Sequence, residues 1–245
     1  MNSKRVYRSD TSDLRLTSFS IAVKESDLWI AVSSTDYHKS LPQQVEKILW
    51  NRRRQIENYL SAHPDLASSL EPCLPGAGAP QIIRSMVSAG NRVGVGPMAA
   101  VAGAIAEEVG RYLLGLMQEV IVENGGDIFL KIEQPVSVGI YAGDSPLSGQ
   151  LALHIKPDQT PLGVCTSSGT VGPSLSKGTA DAALALSVST PLADAAATAL
   201  GNMVKTPVDL EAALAFARKI DGITGALLIC EDKIAAWGDI ELKKV

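Results

Sequence analysis

A chain of 245 residues with 46% hydrophobic and 20% charged residues has the composition of a globular protein. Its length lets it bury about 70% or more of the unfolded surface without metals or disulfides. A net charge of -4 and a pI near 5.4 exclude a general nucleic-acid surface, which needs a clustered positive excess. Cys73, Cys165 and Cys230 have neither CxxC spacing nor histidines near them in sequence, which argues against a zinc site or a disulfide framework and for a reducing compartment.

The N-terminus, MNSKRVYRSD, is charged and then polar, with no apolar h-region. The longest strongly apolar run, MAAVAGAIA, stops at Glu107 after nine residues. The expectation is a soluble cytoplasmic protein with no membrane partner. Residues 14–23 and 27–34 read as an opening hairpin. From about Pro42 to Leu60, Val45, Ile48, Leu49, Ile56, Tyr59 and Leu60 share one helical face. Arg52, Arg53 and Arg54 suggest phosphate binding, but in an acidic chain they are expected on a solvated face. EPCLPGAGAP, residues 71–80, is too dense in Pro and Gly for a regular element; it reads as a loop, a candidate lid and the one candidate subdivision of a single 1–245 domain.

A short apolar segment, QIIRSMVSA, and a glycine cluster, GNRVGVGP, follow, and then a helix from about Pro97 to Leu116. EVIVE, DIFLKI, VSVGIYA, QLALHI, LGVCTSS and ADAALALSV predict a meander of about six strands. Helices over 191 to about 204 and about 208–219, then a hairpin, GALLICEDKIAAW, close the chain.

Gly94, Gly96 and Ala99 match GxGxxG/A ahead of a helix, and Glu123 stands where a ribose-binding acid would. Polar Ser88 to Asn91 and the tight turn after Glu123 count against a Rossmann unit, so the NAD(P) oxidoreductase reading ranks last. Backbone amides at the Gly96 helix start still make an anion site. In ENGGD, Asn124 and Gly125 signal a tight hairpin, and Gly125 and Gly126 also admit a flat ligand close to the backbone. CTSSGTVGPS puts hydroxyls and bare amides at a strand end, suited to phosphate. His38, His63 and His154 lie far off in sequence, so no nucleophilic triad can be argued, and Cys165 reads as a buried strand cysteine.

In ADAAATALGN, Thr190 and Pro191 read as N-cap and N1, which puts Asp194 and Thr198 one turn apart on one face. Two accounts stand side by side. Asp194 answers its own helix dipole while Thr198 bonds a carbonyl one turn back, or the two oxygens hold Mg²⁺, with waters and ligand phosphates completing the shell.

The order GPMAAVAGAIAE, VIVENGGDIFL, GVCTSSG, PLADAAATALGN closely resembles the ApbE-like proteins, the superfamily of bacterial flavin transferases, over about residues 90–205. It looks most like the branch whose members have no assigned activity. The resemblance implies an α+β fold of ApbE type, a largely antiparallel meander packed on helices. It also implies Mg²⁺ held by Asp194 and Thr198, and an FAD or FMN pocket lined by Gly96, Asn124, Gly125, Gly126, Thr166, Ser167, Ser168 and Gly169. The implied activity is Mg²⁺-dependent transfer of FMN from FAD to a threonine or serine of an acceptor protein. The implied partners are therefore a nucleotide ligand and an acceptor, and a homo-oligomer is left open.

The chain departs from the family at two points. A family lysine, in a GGxAKG segment, is absent where Met98, Ala99, Ala100 and Val101 stand, and TVGPSLSKG lacks the family histidine. Those departures support an alternative, a ligand-binding accessory protein without the chemistry; members of the branch have been linked with sulfur assimilation.

Overall fold

The computed structural model describes residues 15–168 and 178–245. It is an α+β fold in three layers. An eight-stranded sheet runs in the order β1-β2-β3-β4-β7-β8-β9-β10, and a second sheet of three strands runs β11-β6-β5. The large sheet comprises β1 (Leu16–Val23), β2 (Ser26–Ser33), β3 (Val120–Asn124), β4 (Asp127–Lys131), β7 (Leu162–Ser167), β8 (Ala182–Ser187), β9 (Ile223–Cys230) and β10 (Lys233–Gly238). The small sheet comprises β5 (Val136–Gly139), β6 (Leu151–Ile155) and β11 (Leu242–Lys244).

Each pairing among these strands is antiparallel, from Leu16↔Ser33 in the first hairpin to Lys233↔Cys230 in the last. The six expected strands of the meander are all present, but β5 and β6 leave the large sheet to build the small one. Strand periodicity reports that a segment is extended with alternating faces; it carries no information on which neighbour pairs with it.

Alternation along the strands separates two cores. Val120, Val122, Phe129, Cys165, Ala183, Ala185, Ala226 and Leu228 face the helices, while Leu130, Leu162, Val164, Leu184, Leu186, Leu227 and Ile229 face the small sheet. The helical layer holds α1 (Leu41–Ala62), α2 (Pro64–Ser68), α3 (Gln81–Val93), α4 (Val101–Leu114), α5 (Thr190–Met203) and α6 (Leu210–Ala217). A 3-10 turn over Pro97–Ala100 precedes α4. Among the described residues no single helix is long and apolar enough to cross a membrane.

The segment expected only to be apolar is the helix α3, with Ile82, Ile83, Met86, Val87, Gly90 and Val93 buried at helical spacing. Gly94 ends it in the left-handed conformation, φ 79°, where a side chain would be strained. The glycine pattern at 94–99 therefore follows a helix, and the strand pairings among the described residues are antiparallel, so these glycines do not form a Rossmann unit and the reading built on it falls.

The arginine triplet also differs from expectation. Arg53 is buried, with its guanidinium donating to Ser26 Oγ at 2.6 Å and paired with Glu25 and Glu57. Arg52 pairs with Glu108 at 2.9 Å, and Arg54 lies over the Trp50 ring on the outer face of α1. The acids that neutralise the triplet come from the β1–β2 turn, from α1 itself and from α4, so two of the three are distant in sequence.

Candidate functional site

The helix α5 lies against β7 and β8 with nearly its whole surface buried, which only a run of small side chains permits. Its N-terminus meets that of α4, and neither helix has a side-chain cap of its own: Ala100 and Ser189 occupy the cap positions without one. Each is capped by the other. Asp194 Oδ2 accepts the Gly103 N–H at 2.8 Å, and the Ala102 amide also favours the ionised carboxylate. Glu107 Oε2 accepts the Thr190 N–H at 2.7 Å. Asp194 thus serves a helix dipole, as the plainer account held, but the dipole is that of α4. The approach depends on Gly103, where a Cβ would stand 2.7 Å from the Thr190 carbonyl oxygen and 2.8 Å from the Asp194 Cβ.

The ENGGD segment closes β3 onto β4 with Asn124 opposite Asp127. The turn residues are Gly125 and Gly126, at φ 73° and 105°, not Asn-Gly as expected; Asn124 belongs to β3. From there Asn124 Nδ2 donates to the Ala102 carbonyl at 3.1 Å, and Glu123 Oε1 accepts the Gly126 N–H at 2.7 Å. The hairpin tip is thereby fastened to the start of α4.

Asp127, the first residue of the expected strand DIFLKI and given no role by sequence reasoning, falls on the same face of β4 as Phe129 and so points toward the helices. It is buried beside the Cys165 thiol and the Thr166 backbone amide, and its Oδ1 has no partner. Burial, reinforced by Glu123, pushes its carboxyl up to about 7. Burial and then the charge of Asp127 hold the Asp194 carboxyl well above the usual carboxylate range. Burial and the two acids raise the Cys165 thiol likewise, and its Sγ also lies 3.5 Å from the Thr190 carbonyl oxygen. A neutral, enclosed thiol is not a nucleophile.

The remaining expected site residues divide. Thr198 is half-buried one turn beyond Asp194, and its hydroxyl makes no hydrogen bond among the described residues. Ser167 pairs with Ala183 on the helix face, and its Oγ would lie 3.6 Å from a Cβ at Gly201, so it sits below the same face of α5. Thr166 pairs with Leu184 and faces the small sheet, away from Asp194. Ser168 follows at the strand end, and Gly169 lies outside the described residues. Gly96 packs on the backbone of Ser69, which a side chain there would overlap. Asp194 and the Asn124–Asp127 hairpin tip therefore meet the α4 N-terminus, while Thr198 and Ser167 lie further along the same face of α5.

Neither Asp127 nor Asp194 has an ion-pair partner among the described residues, and no group of three or more His, Cys, Asp or Glu is assembled. Carboxylate and hydroxyl oxygens without thiolate or imidazole suit a hard divalent cation. Asp194, a buried acid with no cation beside it, suits such an ion, which would take the place of its proton.

The model of the family described as AbpE bacteria matches residues 8–241. The UPF0280 protein of Methanocella arvoryzae is 47% identical over 208 residues, 84% of this chain and 83% of that protein. The UPF0280 protein MJ1526 of Methanocaldococcus jannaschii is 38% identical over 225 residues, 90% of each. Among solved structures, the apo flavinyl transferase ApbE of Pseudomonas stutzeri superposes with a TM-score of 0.63 at 15% identity, covering 91% of this chain and 94% of its own. The flavin transferase ApbE of Vibrio cholerae gives 0.63 at 14% identity, covering 91% and 96%. The fold is the ApbE fold.

Proposed function

The chain belongs to the AbpE bacteria family, and on that premise we propose that it binds a flavin nucleotide, FAD above others, together with Mg²⁺ at the α4–α5 junction. One observation carries the reading: the buried Asp194 carboxylate has no counter-cation, and the unengaged Thr198 hydroxyl stands one turn away. An isolated buried charge is costly, and an ion of opposite sign removes that cost. Asp194 and Thr198 would hold the metal, whose chemistry is to polarise phosphoryl oxygens. The Gly125–Gly126 turn offers bare backbone to a flat ring, Asn124 fixes that turn against α4, and Ser167 supplies a hydroxyl on the same side.

A catalytic form of this reading moves FMN from FAD to a hydroxyl of an acceptor protein and releases AMP. An accessory form keeps the ligand and loses the transfer. The accessory form is favoured by Met98, Ala99, Ala100 and Val101, which present no cation to the phosphates where related transferases are expected to have lysine.

The test is the thermal unfolding midpoint with FAD, FMN, ATP and NADH, each with and without Mg²⁺, followed by an assay for AMP. A ligand at 100 times its Kd adds about 2.7 kcal/mol of stability. A Mg²⁺-dependent shift with FAD that is lost in Asp194→Asn supports the site. AMP release dependent on Asp194 then selects the enzyme, and binding without AMP selects the accessory protein. No shift with any ligand removes the reading.

A further inference from the structure

Asp127 plays no part in the cation site just described, yet its placement is hard to explain otherwise. It is only 7% exposed, and Asp194 is 8% exposed. The two carboxyls come from separate elements, β4 and α5, and converge on Cys165, which feels the charge of both. Asp194 is satisfied on one side by the Gly103 amide, whereas Asp127 Oδ1 is buried and has no donor at all. A buried carboxylate oxygen left without a partner costs about 1–3 kcal/mol or more, so such an atom marks a position meant for something else. Glu123 supplies no donor, because a carboxylate only accepts, as its Oε1 does from the Gly126 N–H. Two basic residues of neighbouring elements are committed elsewhere: Arg111 of α4 pairs with Glu107, and Lys131 Nζ of β4 donates to the Thr160 carbonyl oxygen.

We propose that Asp127 is a direct ligand of the divalent cation through its Oδ1, so that two acids from two elements, Asp127 and Asp194, would hold one metal. This rests on the reading of Asp194 and Thr198 as a cation site. Two carboxylates balance one divalent charge, and neither acid has an ion-pair partner among the described residues to compete for it. The hairpin and α5 become cross-linked by the ion, and the metal orders the Gly125–Gly126 turn along with its own site.

The probe is Mn²⁺ alone, with binding followed by its free-ion EPR signal and hydration by water-proton relaxation, on the wild type, Asp127→Asn, Asp194→Asn and Thr198→Val. Asparagine at 127 keeps the size and the acceptor facing Thr166, and the unfolding midpoint without metal checks that the variant is folded. If it is not, Asp127→Ser replaces it. The expected result is one Mn²⁺ site, weakened about tenfold or more in Asp127→Asn, with more water on whatever ion remains bound. Wild-type affinity and hydration in Asp127→Asn, with affinity lost in Asp194→Asn, would overturn the role of Asp127 while leaving the Asp194 site standing. No Mn²⁺ binding by the wild type, or binding indifferent to Asp194→Asn, would sink both readings.

Discussion

Glu107 and Asp194 cap each other's helices: Glu107 of α4 accepts the Thr190 N–H that begins α5, and Asp194 of α5 accepts the Gly103 N–H in the first turn of α4. Two N-terminal dipoles that would repel if left bare are each met by a carboxylate carried on the other helix. The exchange fixes the junction to which Asn124 fastens the β3–β4 turn, with Thr198 and Ser167 further along the same face of α5.

The cap and the metal role of Asp194 can be separated. Asp194→Ala removes an acceptor from the Gly103 amide and should cost about 1–2 kcal/mol of unfolding free energy in urea. Asp194→Asn keeps an acceptor there and should retain most of that stability, while losing any Mg²⁺-dependent rise in midpoint as fully as the alanine variant does. Equal destabilisation by both would show that the charge, not the cap, matters.

Gly103→Ala places a methyl group 2.7 Å from the Thr190 carbonyl oxygen, a contact that real Cβ atoms do not make. The α4–α5 pair must separate, at a cost of about 1–3 kcal/mol. Because Asp194 moves with α5, FAD-induced stabilisation should fall together with intrinsic stability, which calorimetry with and without FAD and Mg²⁺ would measure.

The titration of Asp127 gives a sign that can be checked. Its carboxyl titrates at about 7 in the folded chain against an ordinary 3.8, so the fold retains a proton that the unfolded chain releases. The contribution is full below about pH 3.8 and is lost as pH rises through about 7. Without metal, the wild type should lose stability relative to Asp127→Asn between about pH 4 and about pH 7, measured by urea unfolding at each pH. Added Mg²⁺ should act in the opposite direction, stabilising more as pH rises, because it competes with the proton. A flat difference across that window would contradict the placement of Asp127.

Arg53 serves as a control. Its contacts are Ser26, Glu25 and Glu57, all remote from the junction in the fold's element order. Arg53→Ala should destabilise by about 1–3 kcal/mol through lost hydrogen bonds and packing, with the ligand-induced shift in midpoint unchanged. A shift lost in this variant would return the arginines to the phosphate-binding role.

The sequence by itself determined most of the elements, because alternation and helical periodicity are local properties: the opening hairpin, the six strands of the meander and the alanine helix are all legible in it. It also placed Asp194 and Thr198 on one face, since residues four apart on a helix must share one. It did not disclose α3, whose polar Ser88 and Asn91 and whose Gly90 dilute the apolar signal, although Ile82, Ile83, Met86 and Val87 carry a helical face.

Only the tertiary structure decided what each motif is for. Thr166 and Ser167 are neighbours in the chain yet face opposite layers, and nothing local says which side the helices will take. Gly96 and Gly103 look alike in sequence; one accommodates Ser69 and the other lets Asp194 reach α4. Asp127 reads only as the first residue of a strand until β4 is set beside β7 and under α5. Pairings between residues 22 to 91 positions apart, such as Asn124 with the α4 start or Asp194 with Gly103, depend on how the layers stack, and that is settled by burial of the whole core, not by any short stretch of chain.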